Sequence, residues 1–266
     1  MSLVTVERRG GAALVIYANP AIGTMTAAGA AEMLAVMQDL VADPAVRAVV
    51  ITGGVPGIFI RHYDVGELTV LGDALAKAPP PPRDAAQSGG GFGALIDLIA
   101  AAPKPVIAAI NGLCMGGGFE LTLACDIRIA GTDVTAIGLP ETRVGIFPGG
   151  GGTQRLPRVI GEARALEMIL RGRVVGAADA LSIGLVHEVA ADCVARALEI
   201  AAEFEARPPE GLAYAKRLTR SALDRPLSEG LSDERRSFVE VVRLPSAVSA
   251  MKASLASAPL GTAEPS

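Results

Sequence analysis

Residues 104–128 contain the pattern that most constrains the fold, a buried strand followed by a glycine turn and a helix. Val106–Ile110 is a short apolar run between Pro105 and Asn111, as expected for a buried strand. Three consecutive glycines at residues 116–118 follow, and apolar residues then recur at positions suited to the buried side of a helix. The chain is therefore predicted to pass from strand to glycine turn to helix.

A helix that begins directly after glycines offers a place for negative charge. Its first N–H groups have no partner within the helix, and the helix dipole is positive at that end. Glycines let a substrate approach the backbone, so a developing oxyanion would be stabilised there. Glu120 places a carboxylate in the first turn, which suggests proton transfer at a carbon near a carbonyl. The alternative is a tightly packed glycine turn with Glu120 in an ordinary first-turn position.

Residues 138–156 supply a second motif, GLPETRVGIFPGGGGTQRL. The two motifs, in this order, closely resemble those of the crotonase superfamily, also called the enoyl-CoA hydratase/isomerase superfamily. The resemblance extends over about residues 3–189 and implies an α/β fold. In that fold, residues 1–191 would form a crotonase-like spiral of repeated ββα units. Residues 192–266 would form a C-terminal helical region for oligomerisation and active-site cover.

The resemblance also implies the site residues. In this family, two backbone N–H groups bind the thioester oxygen of an acyl-CoA, and the matching positions are Gly117 and Arg61. The two glutamates of the hydratases match Glu120 and Glu141. The glycine that helps to hold the water matches Gly149. The resemblance implies no metal, and no cofactor beyond the coenzyme A that the substrate carries.

The sequence FIRHYD at residues 59–64 departs most from the family pattern. The family has small residues and glycine where this chain has Arg61, His62 and Tyr63, whereas Asp64 is retained. We assign these four residues to substrate binding, with the first three adding bulk and polarity near the acyl or pantetheine end. This assignment predicts a substrate range that is narrower than, or displaced from, short linear enoyl-CoAs. The alternative is that the three side chains point to solvent or to a neighbouring subunit.

Three functional hypotheses follow from these residues. A hydratase would add water to the double bond of a 2-enoyl-CoA, with Glu120 activating the water and Glu141 handling the α-proton. A double-bond isomerase of the same fold needs only one well-placed base. A non-catalytic relative would keep the fold and bind acyl-CoA or a partner protein.

Composition and short motifs argue against several other classes. The net charge of −4 is unlike that of a nucleic-acid-binding surface. Two histidines, His62 and His187, form no metal-ligand pattern, and His187 is expected to be structural. Neither a P-loop nor a dinucleotide-binding fingerprint is present. The absence of a membrane-length apolar stretch and of a signal sequence predicts a cytoplasmic protein without a membrane partner. The cysteines are expected to be reduced core thiols: Cys114, Cys125 and Cys193.

Hydrophobic periodicity predicts the remaining elements. They are an N-terminal hairpin at residues 3–17, a helix capped by Thr26, and strands at residues 46–52, 127–130 and 185–189. Residues 71–91 are predicted to be a mobile loop. Half of the residues are hydrophobic, which suits a subunit that buries surface against its own copies. Together with the resemblance, this predicts a homotrimer, or a hexamer of two stacked trimers.

Overall fold

The structure is a computed structural model that describes residues 2–20, 22–79 and 90–257. The strands in this part of the chain are β1 (Val4–Arg9), β2 (Ala12–Tyr17), β3 (Ala48–Gly53), β4 (Ile58–Ile60), β5 (Val106–Ile110), β6 (Leu113–Met115), β7 (Ile127–Gly131), β8 (Ile137–Gly138), β9 (Val174–Val175) and β10 (Glu188–Ala190). The helices are α1 (Ala27–Ala42), α2 (Val65–Leu75), α3 (Gly90–Ala101), α4 (Gly117–Ala124), α5 (Gly152–Ile160), α6 (Glu162–Leu170), α7 (Ala177–Ser182), α8 (Cys193–Glu205), α9 (Pro209–Arg220), α10 (Leu227–Val242) and α11 (Pro245–Ser257), with a 3-10 helix at Glu141–Val144.

Two sheets organise the described residues. The larger has six strands in the order β1-β2-β3-β5-β7-β10, and the smaller has four in the order β4-β6-β8-β9. Within the larger sheet β1 and β2 form an antiparallel hairpin, and every other neighbouring pair is parallel. Parallel neighbours require crossover connections, and the helices between the strands supply them. The predicted α/β class and the N-terminal hairpin are thus confirmed.

The larger sheet is covered on both faces, which accounts for its fully buried central strands. Because successive strand residues point to opposite faces, Val49 and Ile51 of β3 enter the main core with α1 and α3. Val50 faces the other way and packs in a second cluster with Ala197 and Ile200 of α8. The first helix of the predicted C-terminal region therefore packs directly on the sheet. The division of the chain at residue 192 stays a prediction.

Most predicted elements are confirmed, with two corrections. Thr26 caps α1 by accepting a hydrogen bond from the Gly29 N–H. Residues 71–75 belong to α2 and residues 90–91 to α3, not to a loop, while residues 80–89 of the predicted loop lie outside the described part of the chain. The third strand predicted from periodicity is shorter than expected, because only Glu188–Ala190 pairs with β7. The preceding His187 accepts a hydrogen bond from the Arg128 N–H, as expected for a structural histidine.

The cysteines are buried and free, as predicted: Cys114, Cys125 and Cys193. Among the residues that the structure describes, no helix is both long enough and apolar enough to cross a membrane.

Close backbone contact places α4 against β4. A Cβ atom on Gly118 would lie only 2.1 Å from the carbonyl oxygen of Ile60, so a side chain cannot be accommodated without moving one element. Gly118, in the first turn of α4, is therefore needed for this packing. This contact brings the N-terminus of α4 beside the FIRHYD loop, which begins with the last two residues of β4 and continues to Asp64.

Candidate active site

Glu120 lies in the first turn of α4, and only 3% of its surface is exposed. Its Oε1 atom accepts hydrogen bonds from two backbone N–H groups, Gly150 at 2.7 Å and Gly152 at 2.8 Å. Burial raises the pKa of Glu120, and the two N–H groups and the nearby Arg155 counteract part of that rise. The glycine run of the second motif thus holds the carboxylate of the first motif in place, which leaves Oε2 available to a reactant.

Glu141 is the first residue of the 3-10 helix, and its carboxyl group is the second acidic group of the site. Its Oε2 atom is buried and has no hydrogen-bond partner among the described residues. Burial raises the pKa of Glu141 to about 7, and the negative charge of Glu120 adds to the rise. Near neutral pH this group therefore exists in comparable amounts as acid and as carboxylate, which suits proton transfer in either direction.

Gly116 makes room for the second carboxyl group. It has φ +50°, a conformation that favours glycine. A Cβ atom there would lie 3.3 Å from Oε1 of Glu141 and 3.4 Å from Cβ of His62. The turn before α4 therefore approaches both Glu141 and the FIRHYD loop, so the two motifs form one site.

The two predicted oxyanion donors differ in whether their N–H groups are free. The N–H of Gly117 is the first of α4 and has no acceptor among the described residues. The N–H of Arg61, in contrast, donates to the carbonyl oxygen of Gly23 at 2.8 Å. An amide has a single proton, so Arg61 cannot also donate to a thioester oxygen. The assignment of Arg61 as an oxyanion donor is therefore corrected.

Within the described residues, Tyr63, two residues after Arg61, has a free N–H group beside Gly117. The Asp64 N–H bonds to the carbonyl oxygen of Met25, but the N–H of Tyr63 has no acceptor among the described residues. The Tyr63 nitrogen lies 3.3 Å from the position that a Cβ atom of Gly117 would occupy. Two unused N–H groups therefore stand side by side, on Tyr63 and on Gly117.

The other FIRHYD residues divide between the site and the scaffold. His62 and Tyr63 line the cavity that holds the two glutamates, whereas Arg61 does not. The Nε atom of Arg61 is buried and has no partner in the described part of the chain. Asp64 caps α2, accepting from the Glu67 N–H and from the Thr24 hydroxyl. The predicted direct contact of Arg61 and Asp64 with substrate is thus not supported by their positions, because neither lines the cavity.

One cavity of about 1340 Å³ brings the remaining predicted residues together. Its lining includes His62, Tyr63, Gly117, Glu120, Glu141 and Gly149. The lining also includes Phe92, which the sequence analysis did not assign to the site. Its ring packs edge-on against Tyr63, with centroids 5.4 Å apart. No short-range pattern marks Phe92, because its contacts are to residues distant in the sequence.

Comparisons with known proteins agree with this geometry. Residues 7–253 match the enoyl-CoA hydratase/isomerase family. YngF of Bacillus subtilis strain 168, which carries the name of this family, is 36% identical over 244 residues, covering 90% of this chain and 89% of YngF. The mitochondrial methylglutaconyl-CoA hydratase of Rattus norvegicus is 37% identical over 209 residues, covering 76% of this chain and 63% of that protein.

A solved structure gives the same result for the fold. The crystal structure of an enoyl-CoA hydratase from Bacillus anthracis matches with a TM-score of 0.85 and 29% identity, covering 94% of this chain and 95% of that chain. The chain therefore belongs to the enoyl-CoA hydratase/isomerase family and has the crotonase fold.

Proposed function

We propose that the protein is an enoyl-CoA hydratase, which adds water across the double bond of a 2-enoyl-CoA thioester. The observation that carries this proposal is the meeting of two buried carboxyl groups and two unused backbone N–H groups in one cavity. Hydration needs both kinds of group, because charge develops on the thioester oxygen while one proton leaves the attacking water and another is delivered to the α-carbon. Family membership and the hydratase names among the relatives support the same reaction class.

The two N–H groups would bind the thioester oxygen. Negative charge builds there as water attacks the β-carbon, and the Tyr63 and Gly117 N–H groups would then donate to it. Such a donor contributes roughly 3 kcal/mol to transition-state stabilisation in other enzymes. Since the contact uses backbone atoms, the bulky side chain of Tyr63 does not prevent it.

The two glutamates would divide the proton transfers. Glu120 takes a proton from water on its free Oε2 while the hydroxyl oxygen bonds to the β-carbon, and Glu141 gives its proton to the α-carbon. The pKa of about 7 for Glu141 supports its role as the acid. A later proton transfer from Glu120 to Glu141, direct or through solvent, restores the starting state. Because the carboxyl groups interact, they titrate as a coupled pair.

The glycine run would hold the attacking water. The N–H of Gly149 has no acceptor among the described residues, and Gly149 lines the cavity. Its neighbour Gly150 holds Glu120, so a water bonded to Gly149 would lie close to the carboxylate that deprotonates it. The reaction requires no cofactor beyond the coenzyme A of the substrate.

A double-bond isomerase is the second candidate. One carboxyl group that exchanges its proton near neutral pH is enough to move a proton between two carbons, and Glu141 has that property. The two reactions differ in Glu120, which hydration needs and isomerisation does not. We favour hydration because the protein fixes Glu120 with two backbone hydrogen bonds.

The test is a hydration assay on crotonyl-CoA, followed by loss of the absorbance of the conjugated thioester. Glu120→Gln and Glu141→Gln should each lower kcat by on the order of 10² to 10⁴ with the fold retained. Glu162→Gln, at an exposed position on α6, is the matched control and should be near wild type. Full activity in both site variants would contradict the mechanism. Double-bond migration that survives Glu120→Gln would instead support the isomerase.

We further propose that the protein acts as a homotrimer or as a hexamer of two trimers. The cytoplasm remains the predicted location of this assembly. Apolar side chains exposed on the C-terminal helices support the proposed assembly. The most exposed of these side chains are Leu227, Phe238, Val239 and Leu255.

A further inference from the structure

Phe92 contacts both of the glycine loops that carry the catalytic groups. A Cβ atom on Gly117 would lie 3.3 Å from Cζ of Phe92, and one on Gly150 would lie 2.9 Å from its Cε1. The phenyl ring therefore extends from the oxyanion donor to the loop that holds Glu120. Tyr63 completes this wall, since its Cβ lies 3.1 Å from the same point beside Gly117 and its ring packs edge-on against Phe92.

The ring is also a close neighbour of the Glu120 carboxylate. The point at which a Gly150 Cβ would lie is 2.8 Å from Oε2 of Glu120 and 2.9 Å from Cε1 of Phe92. A substrate must place its carbonyl oxygen at the Gly117 N–H and its β-carbon near Glu120. Its reacting carbons would therefore pass alongside the face or edge of Phe92.

We propose that Phe92, supported by Tyr63, is a specificity-determining residue that limits the size of substituents on the β-carbon. This inference rests on the proposed function for the placement of the substrate. The substrate class it assigns is the unbranched, apolar 2-enoyl thioester, with one hydrogen and one alkyl chain on the β-carbon. A second substituent there would meet the phenyl ring, because Phe92 lies against the two backbone segments that carry Gly117 and Gly150.

The expected change in substrate preference can be judged from how strongly apolar pockets distinguish substrates that differ by one methyl group. One methyl group more or less in an apolar pocket typically changes the preference between two substrates by about 10- to 200-fold. Replacing phenylalanine by alanine removes the whole ring, so it should relieve a clash with a single methyl group. Replacing it by leucine removes less volume and should have an intermediate effect.

The first experiment measures binding without chemistry. Isothermal calorimetry gives the Kd of butyryl-CoA and of isovaleryl-CoA, whose β-carbon carries an extra methyl group. Wild type should prefer butyryl-CoA by about tenfold or more, Phe92→Ala should lose most of that preference, and Phe92→Leu should lie between them. Leu98→Ala is the matched control, since it shortens a half-buried side chain of the same helix that does not line the cavity. It should lower Tm and leave the preference unchanged.

The second experiment measures kcat/KM for crotonyl-CoA and 3-methylcrotonyl-CoA. Phe92→Ala should raise the ratio in favour of the branched substrate by about tenfold or more. An equal loss on both substrates with an unchanged ratio would overturn the inference and leave Phe92 as a packing residue. If the wild type hydrates neither substrate but Phe92→Ala still loses the binding preference for butyryl-CoA, the proposed reaction is rejected and the specificity assignment stands. If Phe92→Ala does not fold, an unchanged preference in Phe92→Leu overturns the inference.

Discussion

At the scale of single residues, the two glutamates are held in very different ways. Glu120 is fixed by two backbone N–H groups, whereas Oε2 of Glu141 is buried without a partner in the described part of the chain. A buried, unpaired carboxyl group favours its neutral form, so its cost to folding depends on pH. The group best suited to give up a proton is therefore also one that weakens the fold.

This difference predicts a pH-dependent stability effect for Glu141→Gln. The folded pKa is about 7, well above the ordinary value, so the unfolded chain ionises first as the pH rises. Stability of the wild type should then fall between about pH 4.5 and pH 7, by roughly 1–3 kcal/mol once partial solvent exposure is considered. Glutamine cannot ionise and avoids this loss.

The measurement is urea unfolding of both proteins at pH 5 and pH 8, at one subunit concentration. The advantage of Glu141→Gln over wild type should be larger at pH 8. The exposed control Glu162→Gln should show no such change. An advantage that shrinks as the pH rises would mean that the folded pKa of Glu141 is not raised.

At the scale of elements, the site depends on how closely α4 approaches β4. Gly118 has no space for a side chain, because a Cβ atom would lie 2.1 Å from the Ile60 carbonyl oxygen. The adjacent helix α2 holds the other side of the FIRHYD loop, since Asp64 caps it and also accepts from Thr24. The loop carrying the Tyr63 N–H is therefore fixed at both ends by packed elements.

We predict that Gly118→Ala destabilises the protein and reduces hydration. Moving α4 away from β4 should cost about 1–3 kcal/mol, as overpacking of a core does, and should separate the Gly117 and Tyr63 N–H groups. Gly211→Ala on α9 is the control, because no atom lies within 4 Å of its added Cβ. That variant should be neutral or more stable by about 0.5–1 kcal/mol.

Thermal unfolding and crotonyl-CoA hydration measured on the same samples test this pair of variants. A Gly118→Ala protein with the Tm and kcat of wild type would show that α4 can shift without harm to the site. Such a result would mean that the packing of α4 against β4 does not require glycine at position 118.

At the scale of the whole molecule, the apolar surface of the C-terminal helices bears on assembly. Phe238 and Val239 of α10 are 67% and 54% exposed in the single chain. Burying such side chains against copies of the chain would stabilise a closed ring. The proposed trimer therefore predicts where a charged substitution should break the assembly.

We expect light scattering at micromolar concentration to give three or six times the chain mass of 27.1 kDa. Phe238→Glu should shift the protein to smaller species, because an unpaired charge in an apolar interface is costly. Val6 on β1 is 39% exposed, and Val6→Glu should leave the mass unchanged. A monomeric wild type would contradict the proposed assembly.

Local sequence patterns predicted the α/β class and the strand, turn and helix around Glu120, whereas Glu141 was assigned to the site from the family resemblance of the second motif. They succeed there because hydrophobic period, glycine turns and helix-terminal carboxylates act over a few residues. The Thr26 cap and the buried Val106–Ile110 strand were predictable for the same reason.

Only the tertiary structure decided which N–H groups are free and which distant side chains line the cavity. Arg61 is occupied because Gly23, distant in sequence, accepts its proton, and this leaves the N–H of Tyr63 as the neighbour of Gly117. Phe92 reaches the site because α3 packs its first turn against two glycine loops. These assignments depend on contacts between segments that are far apart in the chain, and local periodicity carries no information about such contacts.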